Sequence, residues 1–153
     1  LLFLHFLGRN IVIDQFNSKY RFLSNYYCIC FCYKRNTYRS AEHAYQAEKC
    51  KFLNDAEKIR LAASPVDANR LGQKVALKDG FMDNRISIMQ DIVQCKFVQN
   101  SSIAKLLIET GNETLVERNW WNDTFWGICN GVGRNHLGII LMKVRNNLIS
   151  LTK

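Results

Sequence analysis

The sequence predicts one compact α+β domain that is mostly helical and carries a small β-sheet element. Segments rich in β-branched and aromatic residues, typical of strands, are concentrated in the first 33 residues. From Ser40 onward, apolar residues recur at helical spacing through most of the chain. No internal repeat, low-complexity tract or linker is evident in the 153 residues. We therefore expect an N-terminal extension over residues 1–10 and a single domain over residues 11–153.

Charge and cysteine content limit the class of protein. The 21 Lys and Arg residues exceed the 13 Asp and Glu residues, and the resulting net charge of +8 favours nucleic acid, an anionic membrane or a phosphorylated small molecule as partner. The six cysteines include no Cys-x-x-Cys pair, which indicates a reducing, intracellular setting. No segment approaches the roughly 18 apolar residues of a membrane span. We expect a cytoplasmic protein without a membrane partner.

Two segments, residues 11–16 and 28–33, are the predicted strands. In the second, Cys28, Cys30 and Cys32 alternate and so share one strand face. Their thiolates could hold a metal if a fourth ligand such as His43 joined them. We favour the alternative, in which these cysteines are small buried apolar residues, because free cysteine commonly has that role. We therefore predict no bound metal.

The first two predicted helices have clear start signals. Ser40 is a good N-cap residue, and the sequence from Ala41 to Phe52 contains no Gly, Pro or β-branched residue. A second, short helix follows the Ser64-Pro65 pair, because a capping residue there precedes a Pro at the first helical position. We expect Gly72 to end that helix.

The other predicted helices lie in the second half of the chain. A central helix between Met82 and Gln99 and a final helix after Asn135 both carry core-facing stripes, and a short helix capped by Ser101 or Ser102 and ended by Gly111 separates them. The stripe residues are Ile86, Met89, Ile92, Val93 and Phe97 in the central helix, and Leu137, Ile140, Leu141, Val144 and Leu148 in the final one.

The first helix carries a polar pattern that could form a site. Glu42, Gln46 and Lys49 are spaced i, i+4 and i+7, so they share one helical face, with Tyr45 at its edge. Such a pattern usually describes a solvated face. If the face is buried instead, the Glu can stabilise positive charge at a sugar carbon and a desolvated Lys becomes nucleophilic toward an aldehyde. These are the needs of glycosidic bond cleavage.

A second candidate segment is the loop between the last two helices, residues 118 to 134. It contains Asp123, Trp126, Gly127, Gly133 and Arg134, and Asn135 follows at the start of the final helix. The glycines could let backbone amides approach a phosphate, and Trp126 could stack on a flat base. In the alternative, the tryptophans anchor the loop on the core and the glycines only turn it.

Taken together, these segments resemble the NADAR, or YbiA-like, family from Phe16 to about Leu148. The landmarks, in order, are Phe22-Leu23-Ser24-Asn25-Tyr26, Ser40-Ala41-Glu42-His43-Ala44-Tyr45-Gln46-Ala47-Glu48-Lys49, Lys96-Phe97, Thr110-Gly111, Val116-Glu117, Asp123, Phe125-Trp126-Gly127, Gly131, Gly133, Asn135, Leu137-Gly138, Leu141-Met142 and Arg145. The sequence departs from the family pattern at Tyr26, where Phe is usual, at Phe81, where Trp is usual, and before Asp123, where a Pro is missing.

The resemblance implies a YbiA-like fold and N-glycosidase activity. Some family members remove ADP-ribose from guanine in DNA or RNA, and others act on phosphoribosylated intermediates of riboflavin biosynthesis. We expect the first activity here, with ADP-ribose or ADP-ribosylated guanine in nucleic acid as partner and no cofactor. The alternatives are hydrolysis of a phosphoribosylated pyrimidine, or a basic module that binds nucleic acid without chemistry.

By motif position, the resemblance assigns Glu42, Lys49 and Asp123 as catalytic residues. We expect Glu42 to stabilise the cationic transition state, Lys49 either to capture the opened sugar as an imine or to orient Glu42, and Asp123 to hold ribose hydroxyls or polarise a water. The expected ligand-binding residues are Asn25, Tyr45, Gln46, Trp126, Gly127, Gly133, Arg134 and Asn135. His43 and His136 are expected to have structural roles.

Overall fold

The structure, a computed structural model, describes residues 11–151. The predicted N-terminal extension lies outside the described residues. The helices are α1 (Ala41–Glu48), α2 (Leu53–Arg60), α3 (Pro65–Gly72), α4 (Phe81–Val98), α5 (Ser101–Glu109) and α6 (His136–Leu151), with a 3-10 helix at Ser18–Leu23. The strands are β1 (Val12–Ile13), β2 (Phe31–Tyr33), β3 (Asn36–Tyr38), β4 (Thr114–Leu115), β5 (Arg118–Asn119), β6 (Ile128–Cys129) and β7 (Val132–Gly133).

Helix α4 lies at the centre of the fold, as its apolar stripe predicts. It packs against α1, α5 and α6. Met89, Ile92, Val93 and Phe97 are buried, whereas Ile86 is 38% exposed and Ile88 takes its place in the core. Every apolar residue predicted for the stripe of α6 is buried. The predicted class, a mainly helical α+β domain, is confirmed.

The two predicted strand segments do not pair with each other, and a 3-10 helix at Ser18–Leu23 lies between them. Instead, β1 pairs in parallel with β4, with Val12 opposite Thr114, and β2 forms a hairpin with β3. Lys34 and Arg35 make the hairpin turn with φ of 46° and 69°, as a two-residue type I′ connection requires. The third sheet, β5-β6-β7, is built from the loop before α6.

The first helix is shorter than predicted. It ends at Glu48, Lys49 forms the C-cap, and a separate helix, α2, begins at Leu53. The reason is tertiary: Cys50 forms a β-bridge with Leu77, and Lys51 N donates to Ala76 O at 2.8 Å. This pairing draws the chain out of the helix before Phe52.

Most of the predicted helix ends are found. Two differ in detail: another residue caps the start of α5, and the glycine at the end of α3 is required by packing. Ser40 and Ser64 accept hydrogen bonds from the third residue after each, as N-caps do. Asn100, and not Ser101 or Ser102, occupies the N-cap of α5. Gly72 is the last residue of α3, and a Cβ there would lie 2.8 Å from Cδ of Gln46. The glycine is therefore required by the close approach of α3 to α1.

A buried lysine fixes the loop that precedes the site. Lys96 on α4 is 1% exposed, and its Nζ donates to Phe22 O at 2.7 Å and Ser24 O at 2.9 Å. Burial lowers the pKa of Lys96 to about 7. Because the two carbonyls belong to the segment just before Asn25, Lys96 sets the position of that residue.

Candidate active site

A cavity of about 530 Å³ opens between α1, α3, the loop at residues 24–26 and the loop after β4. Glu42, Tyr45 and Gln46 of α1 line it, together with Asp123 and Trp126 from the loop. These residues belong to the two segments that the sequence analysis selected. The polar face of α1 is therefore turned inward, and the interpretation of that pattern as a solvated face is wrong.

Glu42 is a buried carboxylate of this cavity that accepts from two side-chain amides. It is 5% exposed, and its Oε1 accepts from Gln46 Nε2 at 2.8 Å and from Asn69 Nδ2 at 2.7 Å. Its backbone N donates to Asn25 O at 3.0 Å. Burial raises the pKa of Glu42, and the two amide donors and the charge of Lys49 act in the opposite direction. Since both donors use Oε1, Oε2 is left for a ligand.

Asp123 organises the loop that closes the cavity. Its Oδ1 accepts from the backbone N of Phe125 at 3.0 Å and of Trp126 at 2.8 Å. Asn119 holds the same residue from the other side, accepting from Asp123 N at 3.0 Å and donating to Asp123 O at 2.7 Å. The turn made by these bonds places Trp126 on the cavity wall. Asp123 therefore shapes the site as well as facing it.

Glu117 is a third carboxylate of the cavity, and sequence reasoning did not select it as a site residue. Its backbone N donates to Asn135 Oδ1 at 3.0 Å, which fixes the chain between β4 and β5. Burial raises the pKa of Glu117 to about 8, and the charges of Asp123 and Glu42 add to the rise. Glu117 belongs to the Val116-Glu117 landmark of the family pattern, and that landmark is the sequence signal that could have identified it as a site residue.

Aromatic side chains form the apolar part of the cavity. The Tyr45 ring lies 5.5 Å from the Trp126 ring in an edge-on arrangement and 5.5 Å from Phe81. Trp121 lines the opening and is 59% exposed, and Trp120 beside it is 84% exposed. Flat walls of this kind suit a planar base.

Two buried acceptors on the cavity-lining residues lack a partner within residues 11–151. They are Oδ1 of Asn25 and Oε1 of Gln46. The amide nitrogen of Asn25 faces Met89 Sδ at 3.4 Å, and that of Gln46 is engaged by Glu42. A buried acceptor without a donor is costly, so a ligand hydroxyl or N–H that reaches Asn25 Oδ1 would stabilise it. Gln46 Oε1 lies against Gly72 of α3.

Lys49 is not among the residues that line the described cavity. It is half-buried at the end of α1, where burial lowers the pKa of its amine and the carboxylate of Glu42 raises it. The charges of Glu42 and Lys49 therefore act on each other: Lys49 lowers the pKa of Glu42, and Glu42 raises the pKa of Lys49.

The remaining predicted ligand-binding residues, Gly127, Gly133, Arg134 and Asn135, do not line the described cavity. Asn135 donates from Nδ2 to Leu115 O at 2.9 Å and accepts from Glu117 N. A Cβ on Gly127 would lie 2.7 Å from Asn119 Nδ2, and one on Gly133 would lie 2.9 Å from Ile128 Cα. Arg134 is exposed. The two glycines therefore allow β5, β6 and β7 to approach closely, and their role toward a phosphate stays a prediction.

His43 and the cysteines of the strand segment do not form a metal site. The His43 ring is fully buried, with Nδ1 2.8 Å from Ser40 Oγ and Nε2 3.2 Å from Ala62 O. Cys28, Cys30 and Cys32 are exposed, so the prediction that they are buried is wrong. Across residues 11–151 no cluster of three His, Cys, Asp or Glu side chains is placed to hold a metal ion.

His136 begins α6, as expected of a structural residue. Its ring centroid lies 4.5 Å from that of Phe125, so it supports the loop behind Trp126.

Among the described residues, no helix is long and apolar enough to cross a membrane.

Comparison with known sequences supports the expected family. The family model described as the NADAR domain matches residues 12–149. An N-glycosidase of Nostoc punctiforme is 41% identical over 122 residues, which cover 74% of this chain and 78% of that protein. A riboflavin biosynthesis protein of Vibrio vulnificus is 36% identical over 135 residues, 86% of this chain, but the match spans only 36% of that longer protein.

The fold also matches a solved structure. The NMR structure of the Escherichia coli protein YbiA superimposes with a TM-score of 0.86 and 28% sequence identity, covering 95% of this chain and 89% of that one. The expected resemblance in sequence is thus accompanied by the same architecture.

Proposed function

This chain belongs to the NADAR domain family, and we propose that it is an N-glycosidase that releases ADP-ribose from the guanine base of ADP-ribosylated nucleic acid. The observation that carries the proposal is the fixed carboxylate of Glu42. Two amide donors hold its Oε1 inside a cavity walled by aromatic rings. A carboxylate held in this way is a preorganised partner for the positive charge that develops at the anomeric carbon when a glycosidic bond breaks.

The cavity suits a ribose with its attached base. A volume of about 530 Å³ lies within the range of small-molecule sites. We assign base stacking to Trp126, with Tyr45 supporting the ring edge-on. The unpartnered Oδ1 of Asn25 and the outer oxygen of Asp123 are then available to ribose hydroxyls.

The phosphates of the substrate belong outside the cavity in this proposal. No Lys or Arg is among the described lining residues, whereas Glu42, Glu117 and Asp123 are, so an anionic group would be repelled from the interior. Trp121 lines the cavity and is exposed, the exposed Trp120 ring lies 5.2 Å from it, and the chain carries a net charge of +8. Exposed aromatic rings on a basic protein favour a nucleic acid strand at the opening.

Lys49 has two roles compatible with this site. Burial lowers the pKa of its amine, which increases the free-amine fraction that imine formation with an opened sugar needs. Its charge also lowers the pKa of Glu42 and so opposes the rise that burial causes.

The test is direct. An oligonucleotide carrying one ADP-ribosylated guanine is incubated with the protein, and released ADP-ribose is separated by chromatography. We expect release by the wild type and loss of release by Glu42→Gln with an unchanged unfolding temperature. Glu109→Gln, which alters an exposed acid on α5, is the matched control and should keep the wild-type rate. A wild type that binds the oligonucleotide but releases nothing would instead indicate a binding module.

A second candidate substrate follows from the relative of Vibrio vulnificus, whose name places it in riboflavin biosynthesis. A phosphoribosylated pyrimidine offers the same N-glycosidic bond and one phosphate for the opening. Parallel assays with both substrates at equal concentration decide between them. The substrate with the higher kcat/KM is the better candidate, and a preference for the pyrimidine would overturn the guanine proposal.

A further inference from the structure

Hydrogen-bond donors are distributed unevenly among the acidic residues of the cavity. Glu42 accepts from two side-chain amides and Asp123 from two backbone amides. Within residues 11–151, no donor to the side-chain carboxylate of Glu117 is found. Donors stabilise an ionised carboxylate, and a carboxyl group that lacks them in a half-buried site next to negative charges retains its proton.

The neighbours of Glu117 strengthen this difference. The titratable groups that face it are Glu42 from α1, Asp123 from the loop after β5, and the Tyr26 phenol, whose pKa is raised by burial and by the charges of Glu42 and Glu117. The adjacent Arg118 points its guanidinium elsewhere, because it pairs with Asp14 at 2.7 Å. The groups that face the Glu117 carboxyl are therefore acidic.

We propose that Glu117 is the general acid of this site, and that it donates its proton to the base as the base leaves. This inference rests on the N-glycosidase function proposed above and adds a residue to it. Two carboxylic acids of one site that differ in their hydrogen-bond donors and neighbouring charges can divide the acid and charge-stabilising roles between them. Glu42 takes the second role, because its two amide donors and the charge of Lys49 oppose the rise in its pKa that burial causes, whereas no donor to the Glu117 carboxyl is found among the described residues.

The step balances as follows. The bond between C1′ and the base nitrogen breaks, its electron pair stays on that nitrogen, and the Glu117 carboxyl supplies the proton that the nitrogen needs. Water adds to C1′ through its oxygen and gives its proton to Asp123. Exchange with solvent through the cavity opening then returns Glu117 to its acid form and Asp123 to its carboxylate form. No cofactor or redox partner is required.

The pH dependence of turnover tests the inference. The pKa of Glu117 is about 8, so kcat of the wild type should fall as pH rises through about 8. Loss of a general acid typically costs about 10²–10⁴-fold, and we expect Glu117→Gln to show a loss in this range together with loss of the alkaline limb. Glu117→Asp keeps a carboxyl group, so it should restore part of the rate and also the fall of kcat at alkaline pH. Glu109→Gln is again the control.

Protonation can be measured without turnover. An infrared carboxylic acid band at pH 7 that disappears in Glu117→Gln is the expected signature. Stability gives a second measure: a folded pKa of about 8 against a reference value of 4.5 means that the folded state holds the extra proton, so wild-type stability falls between pH 5 and 8. Glu117→Gln lacks this contribution and should gain stability relative to the wild type as pH rises.

The outcomes separate the two proposals. If the wild type releases ADP-ribose and Glu42→Gln does not, but Glu117→Gln keeps the full rate and the alkaline limb, Glu117 is not the acid and the proposed function stands. If the wild type releases none, the proposed substrate is wrong, and the infrared band decides whether Glu117 holds the proton. Absence of that band overturns the inference in either case.

Discussion

Asn69 and Glu42 are 27 residues apart in the chain, and Nδ2 of Asn69 donates to Oε1 of Glu42 at 2.7 Å. This bond connects α3 to the acid on α1 and fixes which oxygen is free for a ligand. Gln73, one turn further along α3, donates to Oδ1 of Asn69 at 2.7 Å. The amide of Asn69 is thereby oriented with its nitrogen toward Glu42.

Replacing Asn69 with Ala should slow catalysis. Hydrogen bonds to charged groups contribute about 1.5–3 kcal/mol, so we expect kcat to fall by about 10- to 100-fold. The pKa of Glu42 should also rise, because Asn69 lowers it. Steady-state kinetics across pH measure both effects. Gln73→Ala removes only the support of Asn69 and should cost less; an equal or larger loss would contradict this order of importance.

Gly72→Ala should destabilise the protein. The new Cβ would press on the Gln46 side chain, and overpacking of this kind typically costs about 1–3 kcal/mol. Because Gln46 also supports Glu42, the rate should fall too. Urea denaturation measures the first effect. Adding Gln46→Ala makes room for the methyl group and should recover most of the stability but not the rate; a stable single variant would contradict the proposed contact.

Lys49 can be tested by separating its charge from its amine. Lys49→Met removes the charge that lowers the pKa of Glu42. A higher pKa leaves less ionised Glu42 at low pH, so the acid limb of the rate profile should move to higher pH. Lys49→Arg keeps the charge and should keep the acid limb in place. Lys58→Met, at an exposed position of α2, should change neither.

The same variants decide the role of the amine. Arginine does not form the imine, so a Lys49→Arg protein with a normal acid limb but little turnover assigns capture of the sugar to Lys49. Borohydride treatment of the wild type during turnover would then leave a covalent adduct. Retained turnover without an adduct assigns the orienting role.

Trp120→Ala should weaken binding of a nucleic acid substrate. Base stacking on an aromatic ring contributes about 1–3 kcal/mol per base, so KM for a modified oligonucleotide should rise by about 5- to 100-fold. A modified mononucleoside has no neighbouring base, and its KM should not change. Phe52→Ala removes another exposed aromatic residue, 57% exposed at the start of α2, and serves as control. Equal effects on both substrates would argue against a strand at the opening.

The sequence predicted best those features that depend on local spacing. Helix geometry alone places Glu42 and Gln46 on one face, and Ser40 identifies where that helix begins. The loop residues Asp123 and Trp126 could be selected because their types and spacing follow a family pattern. What remained unpredicted was which side of the helix is buried, since that depends on α3 and on the loop that close over it.

Asn69 and Glu117 show why the rest was missed. Asn69 lies in a helix whose sequence is ordinary, and its role arises from a contact with a residue 27 positions away. Glu117 owes its environment to Asn135, Asp123 and Glu42, which come from three separate segments. The parallel pairing of Val12 with Thr114 has the same origin. Contacts of this range are not encoded in any short stretch of sequence.

Asn135 has a further consequence, which concerns synthesis. With φ of 50°, it bonds both Leu115 O and Glu117 N, so the backbone around Glu117 receives its last two restraints from a residue made 18 positions later. A nascent chain that has emerged only as far as Trp126 already contains every acid of the cavity but lacks these restraints. We expect the ribosome-bound intermediate to have no catalytic activity until the start of α6 has left the exit tunnel.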